Sequence, residues 1–94
     1  RVPDPQALAI IRAGVERIVR VTDEQIAEAI RILYADTHNV AEGAGAAALA
    51  GLLADLSVKG PRRFNGQPVA VIQTGGNIDT DVLATVLKGG TPVV

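Results

Sequence analysis

Two short glycine-rich segments hold the residues whose types and spacing could do chemistry. The first reads Glu-Gly-Ala-Gly at 42–45, and the second reads Thr-Gly-Gly-Asn at 74–77. Each stands just before a predicted helix, where free backbone N–H groups and the helix dipole favour an anion and glycine lets a ligand approach the backbone. Either turn alone is typical of a plain connector. The occurrence of both favours a ligand site.

The second turn is positioned by a predicted strand and a predicted helix. Residues 69–72 read Val-Ala-Val-Ile, an apolar run on both faces that predicts a strand with helices on each side. The amphipathic pattern that starts at Asp79 predicts a helix ending at the glycines of 89–90. The turn would then lie at the carboxyl end of a strand, where ligands bind in open α/β sheets.

The first turn opens a helix of unusual composition. Residues 44–56 are almost all alanine, leucine and glycine, a pattern without a polar face that predicts a helix buried all round. Two strands cannot cover such a helix. We therefore expect the missing cover to come from chain outside these residues or from a partner.

The amino-terminal half adds two helices and one strand to the prediction. Asp4 and Pro5 start a helix that Gly14 ends, and residues 15–21 predict a strand. Thr22 and Gln25 fit a capping box that opens an amphipathic helix ending near residue 37. The predicted order is α-β-α-α-β-α, an α/β fold with a partial parallel-sheet layer and flanking helices.

Composition excludes several classes of function. The 94 residues carry nine Lys plus Arg against ten Asp plus Glu, a net charge of −1 that leaves no electrostatic footprint for nucleic acid. No apolar run approaches the ~20 residues of a membrane span. The absence of cysteine and the single histidine leave no expected metal site. The length allows one domain at most.

The two turns also carry a family resemblance. The stretches Val-Ala-Glu-Gly-Ala-Gly-Ala-Ala-Ala-Leu-Ala at 40–50 and Val-Ala-Val-Ile-Gln-Thr-Gly-Gly-Asn-Ile-Asp at 69–79 resemble the carboxyl-terminal part of pyridoxal-phosphate-dependent threonine dehydratases (threonine ammonia-lyases). Residues 1–5 and 21–26 resemble the same family, whose fold is that of the fold type II pyridoxal-phosphate enzymes. Serine dehydratases, serine racemases and threonine synthases share that fold, so the resemblance points more firmly to the superfamily than to the substrate.

The resemblance implies a role for each residue of the two turns. The hydroxyl of Thr74 would meet the pyridine nitrogen of the cofactor, and the carboxylate of Glu42 would lie beside the ring. The residues expected to bind pyridoxal 5'-phosphate are Thr74, Glu42, Gly43, Gly75, Gly76 and Asn77. Two alternatives stay open: Glu42 caps the helix that follows it, and Asn77 bonds to backbone instead of ligand.

The parts of the family's active site that are missing are equally informative. The Schiff-base lysine, the substrate loop and the phosphate cup of the family would all precede residue 1, and Lys59 and Lys88 are typical of surface residues. We therefore interpret residues 1–94 as the carboxyl-terminal portion of a catalytic domain, incomplete on its own, without a catalytic residue and inactive in isolation.

The complete protein implied by the resemblance deaminates L-threonine to 2-oxobutanoate and ammonia, with L-serine as an alternative substrate. It would be a cytoplasmic homo-oligomer of isoleucine biosynthesis that binds small amino acids, not nucleic acid or membrane. The alternative hypothesis is a non-catalytic α/β interaction module, or a self-associating remnant that hides its apolar helix without a cofactor.

Overall fold

Four helices form the part of the chain that the computed structural model describes, which is residues 2–57, 64 and 66–93. They are α1 (Pro5–Gly14), α2 (Asp23–Thr37), α3 (Gly43–Leu56) and α4 (Thr80–Leu87). All four predicted helices are confirmed, with bounds close to those expected. Within the described ranges, none of the helices has both the length and the apolar character needed to cross a membrane.

The amino-terminal caps of α1 and α2 explain why these helices begin where the sequence predicts. The Asp4 carboxylate accepts the Gln6 and Ala7 N–H groups at 2.8 and 3.2 Å, and Pro at the first helical position presets the backbone. At α2, the Thr22 hydroxyl accepts the Gln25 N–H at 3.1 Å, while the Gln25 side chain accepts the Thr22 N–H at 2.8 Å. The predicted capping box is confirmed.

The predicted α/β fold class is wrong for the described residues, because none of them forms a strand. Residues 15–21 and 69–72, both predicted as strands, run without a ladder of backbone hydrogen bonds. A strand needs a neighbour, and these two segments do not pair with each other; Val19, Val69 and Val71 instead border one groove along α3. The β-branched residues of these segments indicate that their side chains would suit a pleated, half-buried surface. They do not indicate which segment of the chain would pair with them.

The core is small and built from small side chains. Among residues 2–57, 64 and 66–93, Val86 of α4 is the largest side chain that is fully buried, and it packs with α2, which also contacts α3. The buried hydrophobic residues of the described chain are Ala27, Ala29, Ile30, Ala41, Ala46, Ala50 and Val86. Since each alanine removes little apolar surface from water, this core contributes modestly to stability.

Helix α3 is buried on one face only, so the prediction of burial all round is wrong for this chain taken alone. Its buried residues are Gly45, Ala46 and Ala50, whereas Ala48 is exposed and Leu56 is 57% exposed. The neighbouring segment adds Ile72, which is 75% exposed. The outer face of α3 and the segments beside it therefore present apolar surface that the described chain does not cover.

Two arginines tie the helices to one another and to the segments between them. Arg17 donates to the Asp55 carboxylate of α3, with Nη1 and Oδ1 3.0 Å apart, and this hydrogen bond raises the pKa of Arg17 above its usual value. Arg31 of α2 donates from one Nη1 to the carbonyl oxygens of Val86 and Gly90, each at 3.1 Å. The second arginine thereby holds the carboxyl end of α4 against α2, where the helix dipole also favours a cation.

Candidate functional site

The two glycine-rich turns lie against each other. The Glu42 N–H donates to the Gly75 carbonyl oxygen at 3.0 Å, and Nε2 of Gln73 donates to the Val40 carbonyl oxygen at 3.3 Å. We call residues 40–45 and 73–77 the paired turns. The structure thus brings together two motifs that stand more than thirty residues apart in the sequence.

Three glycines make this close approach possible. A Cβ atom on Gly45 would overlap the Gly75 carbonyl group and lie 2.9 Å from the Gly75 nitrogen. A Cβ on Gly76 would lie 2.7 Å from the Val40 oxygen, and one on Gly75 would lie 3.0 Å from Cδ of Glu42. The absence of a side chain at these three positions therefore allows contacts within the chain itself, whether or not a ligand binds.

Gly43 differs from these three glycines. A Cβ there would make only an ordinary contact, 3.8 Å from Cγ2 of Ile26, so the packing of this chain leaves room for a side chain. Packing within the described chain does not require glycine at this position. A ligand that approaches the amino end of α3 is one physical reason for the missing side chain.

Glu42 and Thr74 carry the polar groups of the paired turns. Glu42 is half-buried and precedes α3, but its side chain makes no capping hydrogen bond, so the alternative that it caps the helix is not supported. Its carboxylate lies against Gly75 instead. Thr74 is exposed, next to that glycine. The Glu42 carboxylate therefore contacts Gly75, and Thr74 is the residue that precedes this glycine.

The remaining predicted residue, Asn77, joins the second turn to α4. The Ile78 N–H donates to the Gly76 carbonyl oxygen at 3.1 Å, which closes a tight turn, and Asn77 itself is exposed. A groove of about 430 Å³ opens beside the paired turns, with Glu42, Gly43 and Asn77 among the residues that line it. Three of the predicted residues thus line one groove, whereas Thr74, Gly75 and Gly76 are not among its lining residues.

Sequence reasoning missed three residues of the paired turns. Gly45 belongs to the first motif but was not predicted as a site residue, and its tight contact with Gly75 could not be seen before the turns were known to meet. Gln73 left one signal, a polar residue that ends the apolar run 69–72. Val40 contributes only its backbone carbonyl to these contacts, so its side chain gives no sequence pattern that could predict them.

The residues present fit one edge of a pyridine ring. The turns offer a neutral hydroxyl that can donate to a ring nitrogen, a carboxylate, and Gly43, whose missing side chain leaves room within the packing of the chain. Lys88 is exposed at the carboxyl end of α4, and Lys59 lies outside the described residues. Among the residues that the structure describes, no group of three or more His, Asp or Glu side chains is arranged to hold a metal ion.

Comparisons with known proteins identify the family of this chain. The family model described as pyridoxal-phosphate dependent enzyme matches residues 1–75. The chain is 35% identical over 88 residues to an L-threonine ammonia-lyase of Thermotoga maritima, covering 94% of this chain and 20% of that protein. An L-threonine ammonia-lyase of Geobacter sulfurreducens is 39% identical over 92 residues, covering 94% and 21%.

A third relative is named for another substrate. The chain is 38% identical over 80 residues to an L-threo-3-hydroxyaspartate ammonia-lyase of a Pseudomonas species, covering 85% of this chain and 24% of that protein. The chain therefore spans about a fifth to a quarter of the length of these relatives. No solved structure matches the chain.

Proposed function

Because this chain belongs to the family of pyridoxal-phosphate dependent enzymes, we propose that it forms the carboxyl-terminal portion of a threonine ammonia-lyase catalytic domain. Its part in that domain is to hold one edge of the cofactor ring. The observation that carries the proposal is the hydrogen bond from the Glu42 N–H to the Gly75 carbonyl, which joins the two motifs into one surface. The proposed contacts are Thr74, Glu42, Gly43, Gly75, Gly76 and Asn77.

Thr74 holds the ring nitrogen in this proposal. When bound, pyridoxal phosphate supplies an electron-withdrawing ring that stabilises negative charge at Cα of the amino acid. The Thr74 hydroxyl is a neutral donor, so it orients the ring without giving up its proton. This moderate electron withdrawal suits an elimination, because the charge at Cα is relieved as soon as the β-hydroxyl leaves.

Glu42 contributes a carboxylate beside the ring. It stands at the amino end of α3, where the helix dipole favours a negative charge, and it is not engaged as a cap. The missing side chain at Gly43 lets the backbone approach the ring, whereas Gly75 and Gly76 allow the two turns to lie close together. The Schiff-base lysine and the groups that bind phosphate belong to other parts of the protein, so we expect the chain alone to be inactive.

The proposed reaction is the deamination of L-threonine to 2-oxobutanoate and ammonia, with L-serine as an alternative substrate. Two relatives named as L-threonine ammonia-lyases support threonine, and a relative named as an L-threo-3-hydroxyaspartate ammonia-lyase makes that amino acid the second candidate. All three substrates are small β-hydroxy amino acids. The proposed parent protein is a cytoplasmic homo-oligomer that serves isoleucine biosynthesis.

The test uses the longer protein that contains this chain, incubated with pyridoxal phosphate. We expect visible absorbance from the bound cofactor and release of ammonia from L-threonine, measured beside L-serine and L-threo-3-hydroxyaspartate. Thr74→Ala should lower kcat about tenfold through the loss of one hydrogen bond to the ring. The matched control is Thr80→Ala, which removes an exposed hydroxyl six residues away.

Each outcome separates the hypotheses. A longer protein that shows neither cofactor absorbance nor ammonia release would favour the non-catalytic interaction module. Equal activity of the Thr74→Ala variant and the unmodified protein would remove Thr74 from the site. Faster turnover of hydroxyaspartate than of threonine would reassign the substrate while leaving the proposed contacts in place.

A further inference from the structure

The Val40 carbonyl oxygen is the fixed point against which the second turn is held. It accepts a hydrogen bond from Nε2 of Gln73 at 3.3 Å. It also lies so close to Gly76 that a Cβ there would be 2.7 Å away. One backbone oxygen of the first turn therefore contacts both ends of the segment 73–76.

The Gln73 side chain takes a place that backbone would occupy in a regular sheet. The bond from the Glu42 N–H to the Gly75 carbonyl corresponds to one of the two bonds that residue 75 would make in a parallel pair. In a parallel pair, the other bond would run from the Gly75 N–H to the Val40 carbonyl. Here that carbonyl accepts from the Gln73 amide, so a side chain closes the pairing that backbone leaves open.

Thr74 lies between these two attachments. Its hydroxyl makes no hydrogen bond within the described part of the chain, so nothing of its own fixes where it points. Gln73 on one side is held at Val40, and Gly75 on the other side is held at Glu42. The position of the hydroxyl relative to the Glu42 carboxylate therefore depends on both neighbours.

We infer that Gln73 is a positioning residue, which fixes the Thr74 hydroxyl for the cofactor ring through its hydrogen bond to Val40. The inference rests on the proposed function, since it takes Thr74 as the contact to the ring nitrogen. Gln73 itself touches neither cofactor nor substrate in this account. Its effect comes from pre-organisation, because a donor held at the correct distance needs no reordering when the ring binds.

The experiment compares two variants of the longer protein that both lose the donor. Gln73→Leu removes the amide at similar size, and Gln73→Glu replaces the donor with a charged acceptor that repels the Val40 carbonyl. We expect both to lower kcat about fivefold with KM changed less than twofold. Gln67→Leu is the matched control, since Gln67 is exposed and, among the residues that the structure describes, bonds only through its backbone N–H. It should retain full activity.

A measurement without cofactor tests the contact itself. Hydrogen exchange of the peptide that contains the Glu42 amide should become several-fold faster in the cofactor-free Gln73→Leu protein, because loosening the segment 73–76 weakens the bond to Gly75. The control Gln67→Leu should leave this exchange unchanged. Unchanged exchange in Gln73→Leu would overturn the inference.

A double-mutant cycle shows whether Gln73 acts through Thr74. We expect Gln73→Leu to lower kcat fivefold in the unmodified protein and less than 1.5-fold in the Thr74→Ala background. Equal effects in both backgrounds would overturn the positioning role. If Thr74→Ala lowers kcat and Gln73→Leu does not, only this inference fails; if Thr74→Ala has no effect, the proposed contact to the ring nitrogen fails with it.

Discussion

The paired turns and the outer face of α3 are built from similar residues but differ in how they are completed. At the paired turns, the chain supplies its own partners: the Glu42 N–H meets the Gly75 carbonyl, and Gly45 packs on the same residue. On the outer face of α3, Leu56 is exposed, as is Ile72 in the neighbouring segment, and the adjoining segments have no strand partner among the described residues. This chain therefore completes the paired turns with its own residues and leaves the apolar surface beside α3 uncovered by the described residues.

The substitution with the largest expected effect disrupts the contact between the paired turns. Gly45→Ala places a methyl group into the Gly75 carbonyl, so the backbone of one turn has to move. We expect the free energy of unfolding of the longer protein to fall by about 3 kcal/mol, at the upper end of the usual range for overpacking. Urea unfolding of the cofactor-free protein measures this loss.

Gly43→Ala is the matched control, because it adds the same methyl group without a steric conflict. Its methyl group would make only an ordinary contact with Ile26, so stability should stay within about 0.5 kcal/mol. If Gly43 faces the ring as proposed, the same variant should bind pyridoxal phosphate several-fold more weakly. A Gly43→Ala protein as unstable as Gly45→Ala would contradict the distinction between the two glycines.

The second prediction tests whether the apolar surface beside α3, which includes Ile72, is covered in the longer protein. Ile72 is 75% exposed in this chain, and at such an exposed position a polar substitution would cost less than about 0.5 kcal/mol. If the longer protein covers Ile72, we expect Ile72→Asn to lower the free energy of unfolding by about 2–3 kcal/mol, because a buried apolar side chain is replaced by a polar one. The comparison variant is Val93→Asn, at a residue that is 99% exposed. Equal, small losses for both variants would show that the face meets solvent.

The same contrast explains how much of the molecule could be predicted from the sequence. The starts of α1 and α2 depend on side chains within three residues of each other, Asp4 with Gln6 and Thr22 with Gln25, so local patterns located both. The two strand predictions were wrong because a strand forms only when two segments pair, and the sequence of one segment does not identify its partner. The paired turns were located as motifs, yet the contact of Gly45 with Gly75 depends on a meeting of distant segments that no local pattern contains.

The third prediction concerns the link between α2 and α4. Arg31→Met removes two hydrogen bonds to the Val86 and Gly90 carbonyls at the carboxyl end of α4, together with the ion pair to the exposed Glu28 carboxylate on α2 itself. We expect a loss of about 1–2 kcal/mol in the free energy of unfolding, since the bonds to the two carbonyls are part-buried. Arg20→Met is the control, because Arg20 is exposed. If both variants unfold at the same urea concentration, α4 does not depend on this arginine.

The smallest expected effect has the opposite sign and lies where α2 leads into the first turn. His38 ends the helix with φ of 56°, a left-handed conformation that glycine adopts at no steric cost and other residues adopt rarely. His38→Gly should therefore raise the free energy of unfolding by about 0.5 kcal/mol while keeping the N–H bond to the Tyr34 carbonyl. Asn39→Gly is the matched control: Asn39 has no positive φ, so glycine there only adds freedom to the unfolded chain and removes the side-chain bonds to Thr37. Stability should rise in the first variant and fall in the second, and a fall in both would mean that the His38 side chain stabilises the junction by more than its backbone strain costs.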